Sequence, residues 1–152
     1  MDPQLLRSLL AAVFGAVAMT LSSTTEMYVR GRPPSETPGE AGNKLFGLLG
    51  LPRQTGQRLT LLSTWVHWIY STLWGIVFWM LMDPDLLGLE LAIAGPVFFL
   101  LVWGVALAGL PALRLAPPFW RWGRAEVGID AWHHAMYVAG TVLGWWLIGH
   151  AS

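Results

Sequence analysis

Trp65-Val66-His67-Trp68-Ile69-Tyr70 returns as Trp132-His133-His134-Ala135-Met136-Tyr137, and an Arg-x-x-Pro-Pro precedes each copy, Arg30 to Pro34 and Arg114 to Pro118. Two copies of one helical segment behind two copies of one turn describe a duplicated helical hairpin. The duplication sets His67 and His134 at equivalent depths of whatever the helices cross. In a membrane, ionisable side chains are rare and often functional.

Composition says that a membrane is what they cross. The 152 residues are 55% hydrophobic and only 12% charged, more apolar than soluble domains usually are. Four stretches, around 5 to 27, 59 to 82, 90 to 110 and 129 to 149, reach the roughly 20 residues that a helix needs to span about 30 Å of hydrocarbon. Helices satisfy their own backbone hydrogen bonds there, so the expected fold is all-α and polytopic. Residues 1–152 form a single membrane domain of four transmembrane helices in two repeated hairpins, the first over 5–82 and the second over 90–149. Cysteine is absent, which excludes a disulfide framework, thiolate metal sites and a cysteine nucleophile.

Net charge is zero, but its distribution is uneven. Arg30, Arg32, Lys44, Arg53 and Arg58 fall between the first two spans, and Arg114, Arg121 and Arg124 between the last two; together they are eight of the nine basic residues. The middle connection, Asp83 to Glu90, has none. The positive-inside rule therefore expects loops 1 and 3 in the cytoplasm and both termini outside, with Arg7 as the single opposing charge. Ala16-Val17-Ala18 resembles a signal-peptidase site. The hairpin, however, needs this helix as its first half.

Small residues recur every four positions in the first span, at Ala12, Ala16 and Thr20 and at Ala11 and Gly15, which predicts close packing against partner helices. The third span, nearly devoid of polar side chains, is expected to face lipid. Gly140 and Gly144 give the fourth a G-x-x-x-G packing face. In the first loop, Thr37-Pro38-Gly39-Glu40 has the form of a capping box. It predicts a short interfacial helix over about 38–49, ended by Gly50 and lying on the membrane surface. Thirty-seven residues separate Arg30 from His67 and 20 separate Arg114 from His134; this helix accounts for the surplus. Arg30 and Arg32 of the first loop, with Arg114, Trp120, Arg121, Trp122 and Arg124 of the third, form a belt suited to headgroup depth and anionic lipid phosphates. No nucleic-acid partner is needed to explain them.

The candidate site is a polar pocket on the cytoplasmic half. Tyr70 follows His67 at i+3, Tyr137 follows His134 at i+3, and Asp130 precedes His134 by four, so each set shares a helix face. Glu26 ends a Ser22-Ser23-Thr24-Thr25 ladder at the same depth. An ordinary bundle would bring Glu26, His67, Asp130 and His134 together. Such a cluster suits proton-linked binding, bis-imidazole ligation of a b-type haem by His67 and His134, or a metal held by the same imidazoles with a carboxylate. Alternatively the Trp, His and Tyr are interfacial anchors, and Glu26 pairs with Arg30 one turn on. His133 points off the His134 face and His150 lies at the end of the last helix, so both rank lower. Nucleotide-binding, nucleophile-elbow and zinc-protease motifs are absent, and the reading leans away from an enzyme.

Met27-Tyr28-Val29-Arg30-Gly31-Arg32-Pro33-Pro34-Ser35 with Pro38, His67-x-x-Tyr70, Leu110-Pro111-Ala112-Leu113 with Pro117-Pro118, and His134-x-x-Tyr137 resemble a family of uncharacterised bacterial four-helix membrane proteins similar to YagU-like inner-membrane proteins. The resemblance spans most of the chain. It implies a bacterial inner-membrane location and a role in acid resistance or pH homeostasis, and it brings no active site. The expected function is a small non-enzymatic membrane protein that binds or senses through the polar pocket, with the bilayer as its first partner. Two alternatives stand beside it: an accessory subunit of a respiratory or photosynthetic complex, packed against other membrane subunits or itself, and a bis-His haem protein.

Overall fold

The computed structural model of the protein describes residues 2–151. Its regular elements are all helical: α1 (Pro3–Val29), α2 (Thr37–Leu48), α3 (Gln57–Met82), α4 (Leu91–Ala112) and α5 (Arg124–Ala151), with a 3-10 turn at Phe119–Arg121. No strand occurs among the described residues. The helices lie where the hydrophobic stretches put them, their ends within a turn or two of those expected. Three of them, α1, α3 and α4, are long and apolar enough to cross a membrane. α5 is longer, at 28 residues, but Asp130, His133, His134 and Thr141 dilute its hydropathy.

Contacts between side chains fix the helix directions. Arg7 of α1 meets Trp145 of α5 while Ser22 meets His133, so α1 and α5 are antiparallel. Thr20 meets His67, and Gly75 lies against Ser8 and Leu9, so α1 and α3 are antiparallel too. Trp103 reaches Asp130 and Phe98 packs on Tyr137, which sets α4 against α5. The four long helices thus alternate in direction. Both basic loops gather at one end, and the termini gather with the Asp83–Glu90 turn at the other.

α1 is the central helix, and its small residues explain why. Ala11, Ala12 and Ala16 are wholly buried. A Cβ placed on Gly140 would lie 2.8 Å from the Phe14 carbonyl oxygen and 3.0 Å from Gly15 Cα, and one on Gly144 would lie 3.1 Å from Ala11 Cα. On the other flank, a Cβ on Gly75 would lie 2.7 Å from the Ser8 carbonyl oxygen. Backbone therefore meets backbone on both sides, the arrangement that lets helices associate in lipid without a hydrophobic driving force. The G-x-x-x-G face of α5 is filled by α1 of the same chain. At the far end Arg7 stacks 3.9 Å from the Trp145 ring centroid and donates from Nε to the Trp145 carbonyl.

Between α3, α4 and α5 the interior is aromatic. Phe78 and Phe98 pack with centroids 5.0 Å apart, Trp145 closes on Phe78 and Tyr137 on Phe98. Elsewhere α4 exposes Ile93, Leu100, Leu101 and Val105, as its featureless sequence leads one to expect.

The inserted helix forms, but its cap differs from the expected one. α2 begins at Thr37 behind Glu36, whose side chain makes no cap, while Ser35 Oγ accepts from the Thr37 amide at 3.3 Å. Glu40, assigned by the sequence to a capping box, instead receives hydrogen bonds from Arg53 at 2.7 Å and Asn43 at 3.3 Å. An ion pair with a guanidinium outcompetes a reach back to one backbone amide. Gly39 and Gly42 press α2 onto Leu59, Leu62 and Val66 of α3, and Gly50, at φ +69°, ends the helix as expected.

Replacing Gly140 by leucine should drive a side chain into the α1 backbone and cost about 1 to 3 kcal/mol or more. Gly104→Leu, on an open face of α4, should change stability little. Unfolding in detergent with both variants checks this.

Candidate functional site

Glu26, His67, Asp130 and His134, expected to converge, each meet different partners in the bundle. His67 faces α1, where its Nε2 lies 3.0 Å from Thr20 Oγ1, whose hydroxyl also donates to the Ala16 carbonyl. His134 is held by its own helix: its Nδ1 lies 2.8 Å from the Asp130 carbonyl oxygen and 3.6 Å from Asp130 Oδ2, and that carboxylate accepts from Trp103 Nε1 of α4 at 2.8 Å. Tyr137 is in the core and donates to the Ser71 carbonyl across the bundle at 2.6 Å. Tyr70, its counterpart in the repeat, stands 48% exposed, edge-on to Trp74. The two histidines thus face different neighbours, and no trio of His, Cys, Asp or Glu among the described residues is placed to hold a metal. The two copies of the repeat thus engage their imidazoles differently, His67 through Thr20 and His134 through Asp130.

The histidine that meets Glu26 is His133, which the sequence reading ranked low. Its Nδ1 lies 2.9 Å from Ser22 Oγ, and its Nε2 lies 3.9 Å from Glu26 Oε2. Pointing off the His134 face is what directs it to α1. The available signal was the helical offset of Ser22 and Glu26, four residues apart on one face of α1. A lone extra histidine beside a repeated one gave no reason to use it.

Glu26 belongs also to a four-charge network that joins α1 to the start of α5. Arg30 donates to Glu26 at 2.8 Å and to Glu126 at 2.6 Å, while Arg32 reaches both carboxylates at 3.3 Å. The i,i+4 pair of Glu26 with Arg30 is present as expected. Hydrogen bonds donated to Glu126, and then to Glu26, hold the Arg30 guanidinium above its ordinary pKa.

Beneath this network lies a groove of about 890 Å³ between α1 and α5. Its walls are apolar, with Ala18, Leu21, Ile129, Trp132 and Met136, and its polar atoms come from Ser22, Thr25, Glu26 and His133. The groove opens sideways, where Leu21 and Trp132 are exposed. It offers a hydrogen-bonding end and an apolar track, the general make-up of a small-molecule site.

A second, more polar cavity of about 500 Å³ lies at the loop end between α2 and the turn after α4. Its floor is held by the Glu40–Arg53 pair and by Asn43, which accepts from the Gln54 amide and donates to the Gln54 carbonyl. In the belt, Trp120 is 71% exposed, and Trp122 donates to the Pro117 carbonyl.

Comparison with protein-family models, with curated proteins and with solved structures gives no match to this chain.

Arg53, then Asn43, hold the Glu40 carboxyl below the usual carboxylate range. A depressed folded-state pKa contributes stability that is present above the unfolded value and lost as pH falls through the folded one. Acidification through and below the carboxylate range should therefore loosen the loop behind α2 before the bundle melts, and Arg53→Ala should move that loosening to higher pH. Amide hydrogen exchange over residues 37–56 measures it.

Proposed function

We propose that the protein is a non-enzymatic, four-span membrane protein that binds a membrane-soluble amphiphile in the α1–α5 groove, with binding set by the charge state of His133 beside Glu26. The observation that carries this reading is the Glu26–His133 contact of 3.9 Å inside a laterally open apolar groove. An amphiphile entering from the bilayer would lay its tail along Leu21, Ile129 and Met136 and present its polar end to Ser22, His133 and Glu26.

The fourth crossing is argued from packing. α5 runs beside α1 from the Glu126 network to Arg7 on Trp145, and at 1.5 Å per residue its 28 residues extend about 42 Å. If α1 spans, α5 spans with it. Eight cations at the loop end support a cytoplasmic position for loops 1 and 3, with the termini outside. Arg7, the opposing charge, is engaged by Trp145. The resemblance to YagU-like proteins supports a bacterial inner membrane and an acid-linked role.

Protonation enters through His133, because imidazole changes charge between about pH 5 and 8. Glu26 and Arg32 face it from α1 and the following loop, and Asp130 and His134 from its own helix. With the ring charged, the contact with Glu26 becomes an ion pair; with the ring neutral, a hydrogen-bonding ligand can take its place.

A photoactivatable long-chain alcohol, offered to the protein in bilayers across that pH range, should label residues 18–29 and 125–136 with a pH dependence that His133→Gln abolishes. Labelling spread evenly over the lipid-facing helices, or a pH profile unchanged in His133→Gln and Glu26→Gln alike, rejects the proposal. The accessory-subunit reading draws on the exposed Trp65, Trp120 and Trp132; stable co-migrating partners in mild detergent would favour it.

A further inference from the structure

We infer that the cavity at the loop end is a headgroup site for a zwitterionic aminophospholipid, with phosphate held by Arg114 and Lys44 and ammonium by Glu36. This site is separate from the α1–α5 groove. It depends on the membrane placement of the helices but not on any ligand in that groove.

The charges lining the cavity fall into two groups. Glu40 and Arg53 neutralise each other at 2.7 Å. Lys44, Arg114 and Glu36 line the same space; Lys44 feels Glu40 only through its field, and none of the three enters a salt bridge among the described residues. Two cations and one carboxylate remain for a ligand. A simple anion would meet Glu36 as a repulsive neighbour. A phosphate carrying an ammonium a few bonds away satisfies all three.

Arg114 points to a ligand for a second reason. It is the one non-glycine residue with positive φ among the described residues, at +55°. It follows the C-cap of α4, where Leu115 N–H closes on the Leu110 carbonyl at 2.9 Å. That position ordinarily takes glycine, since a Cβ is disfavoured in the left-handed region. An arginine kept there incurs backbone strain that its own packing does not offset, for the side chain is exposed.

The position suits a headgroup. The cavity sits where α4 leaves the bundle, between Leu115 and Leu51, and neighbouring Leu45 and Leu48 of α2, with Leu49 just after it, stand exposed as an apolar face for the bilayer interface. A volume of about 500 Å³ falls within the usual range for small-ligand sites. Ethanolamine is favoured over choline because a methylated ammonium has no N–H to donate to Glu36.

The test uses the full chain in detergent with short-chain, water-soluble lipids and reads thermal stabilisation. Phosphatidylethanolamine should stabilise at concentrations about tenfold lower than phosphatidylglycerol or phosphatidylcholine, the scale of one charge-assisted hydrogen bond. Glu36→Gln should erase the ethanolamine preference. Arg114→Gly should abolish stabilisation by all three lipids while itself melting no earlier than the parent, because glycine relieves the backbone. Lys44→Ala should weaken phosphate binding without that relief. Equal stabilisation by the three lipids, an ethanolamine preference that survives Glu36→Gln, or full stabilisation by inorganic phosphate alone overturns the inference.

Discussion

Everything in this bundle depends on how closely α1 can be approached. Its alanines and glycine leave so little side chain that Gly75 of α3 and Gly140 and Gly144 of α5 come to rest against its backbone. In water such contacts would be minor beside the burial of large apolar groups. Between lipid tails they are the main source of association, since a leucine gains little by exchanging lipid for protein. The bulky aromatics Phe78, Phe98, Tyr137 and Trp145 fill the wider space toward α4, where the helices stand further off.

The polar chemistry follows from that approach. With α1 and α5 locked in register, Ser22 and Glu26 face His133, and Arg30 can bridge Glu26 to Glu126. The groove forms at the same seam, beyond the glycines toward Val29 and Ala125. Polar groups in a membrane persist when they pair with one another, and each carboxylate here has a partner. A ligand or a proton that enters the seam acts on a connected set of charges reaching from His133 to the loop surface.

Architecture was legible in the sequence to a useful degree. Hydrophobic length gave the four long helices, the small-residue rows of the first span gave its central place, and the surplus of residues before His67 gave α2. The site was less legible, and the reason is geometric. A repeat reports which residues recur but not how each helix is rotated against its neighbours, so His67 and His134 were paired although one faces Thr20 and the other Asp130. Tyr70 and Tyr137 show the same loss of equivalence, one exposed and one in the core. His133, whose counterpart in the first copy is Val66, meets the carboxylate. Likewise Glu40 fits a capping pattern by spacing, yet Arg53, thirteen residues away, holds it, and no local pattern foresees such a partner.

The central claim is that His133 and Glu26 form one proton-responsive unit. Nitrogen NMR of the histidine rings in bilayers, followed through a pH titration in the parent and in Glu26→Gln, tests it most directly. The titration midpoint of His133 should shift in the variant while that of His67, bonded to Thr20, stays where it was. A His133 midpoint indifferent to the loss of the carboxylate would contradict the account.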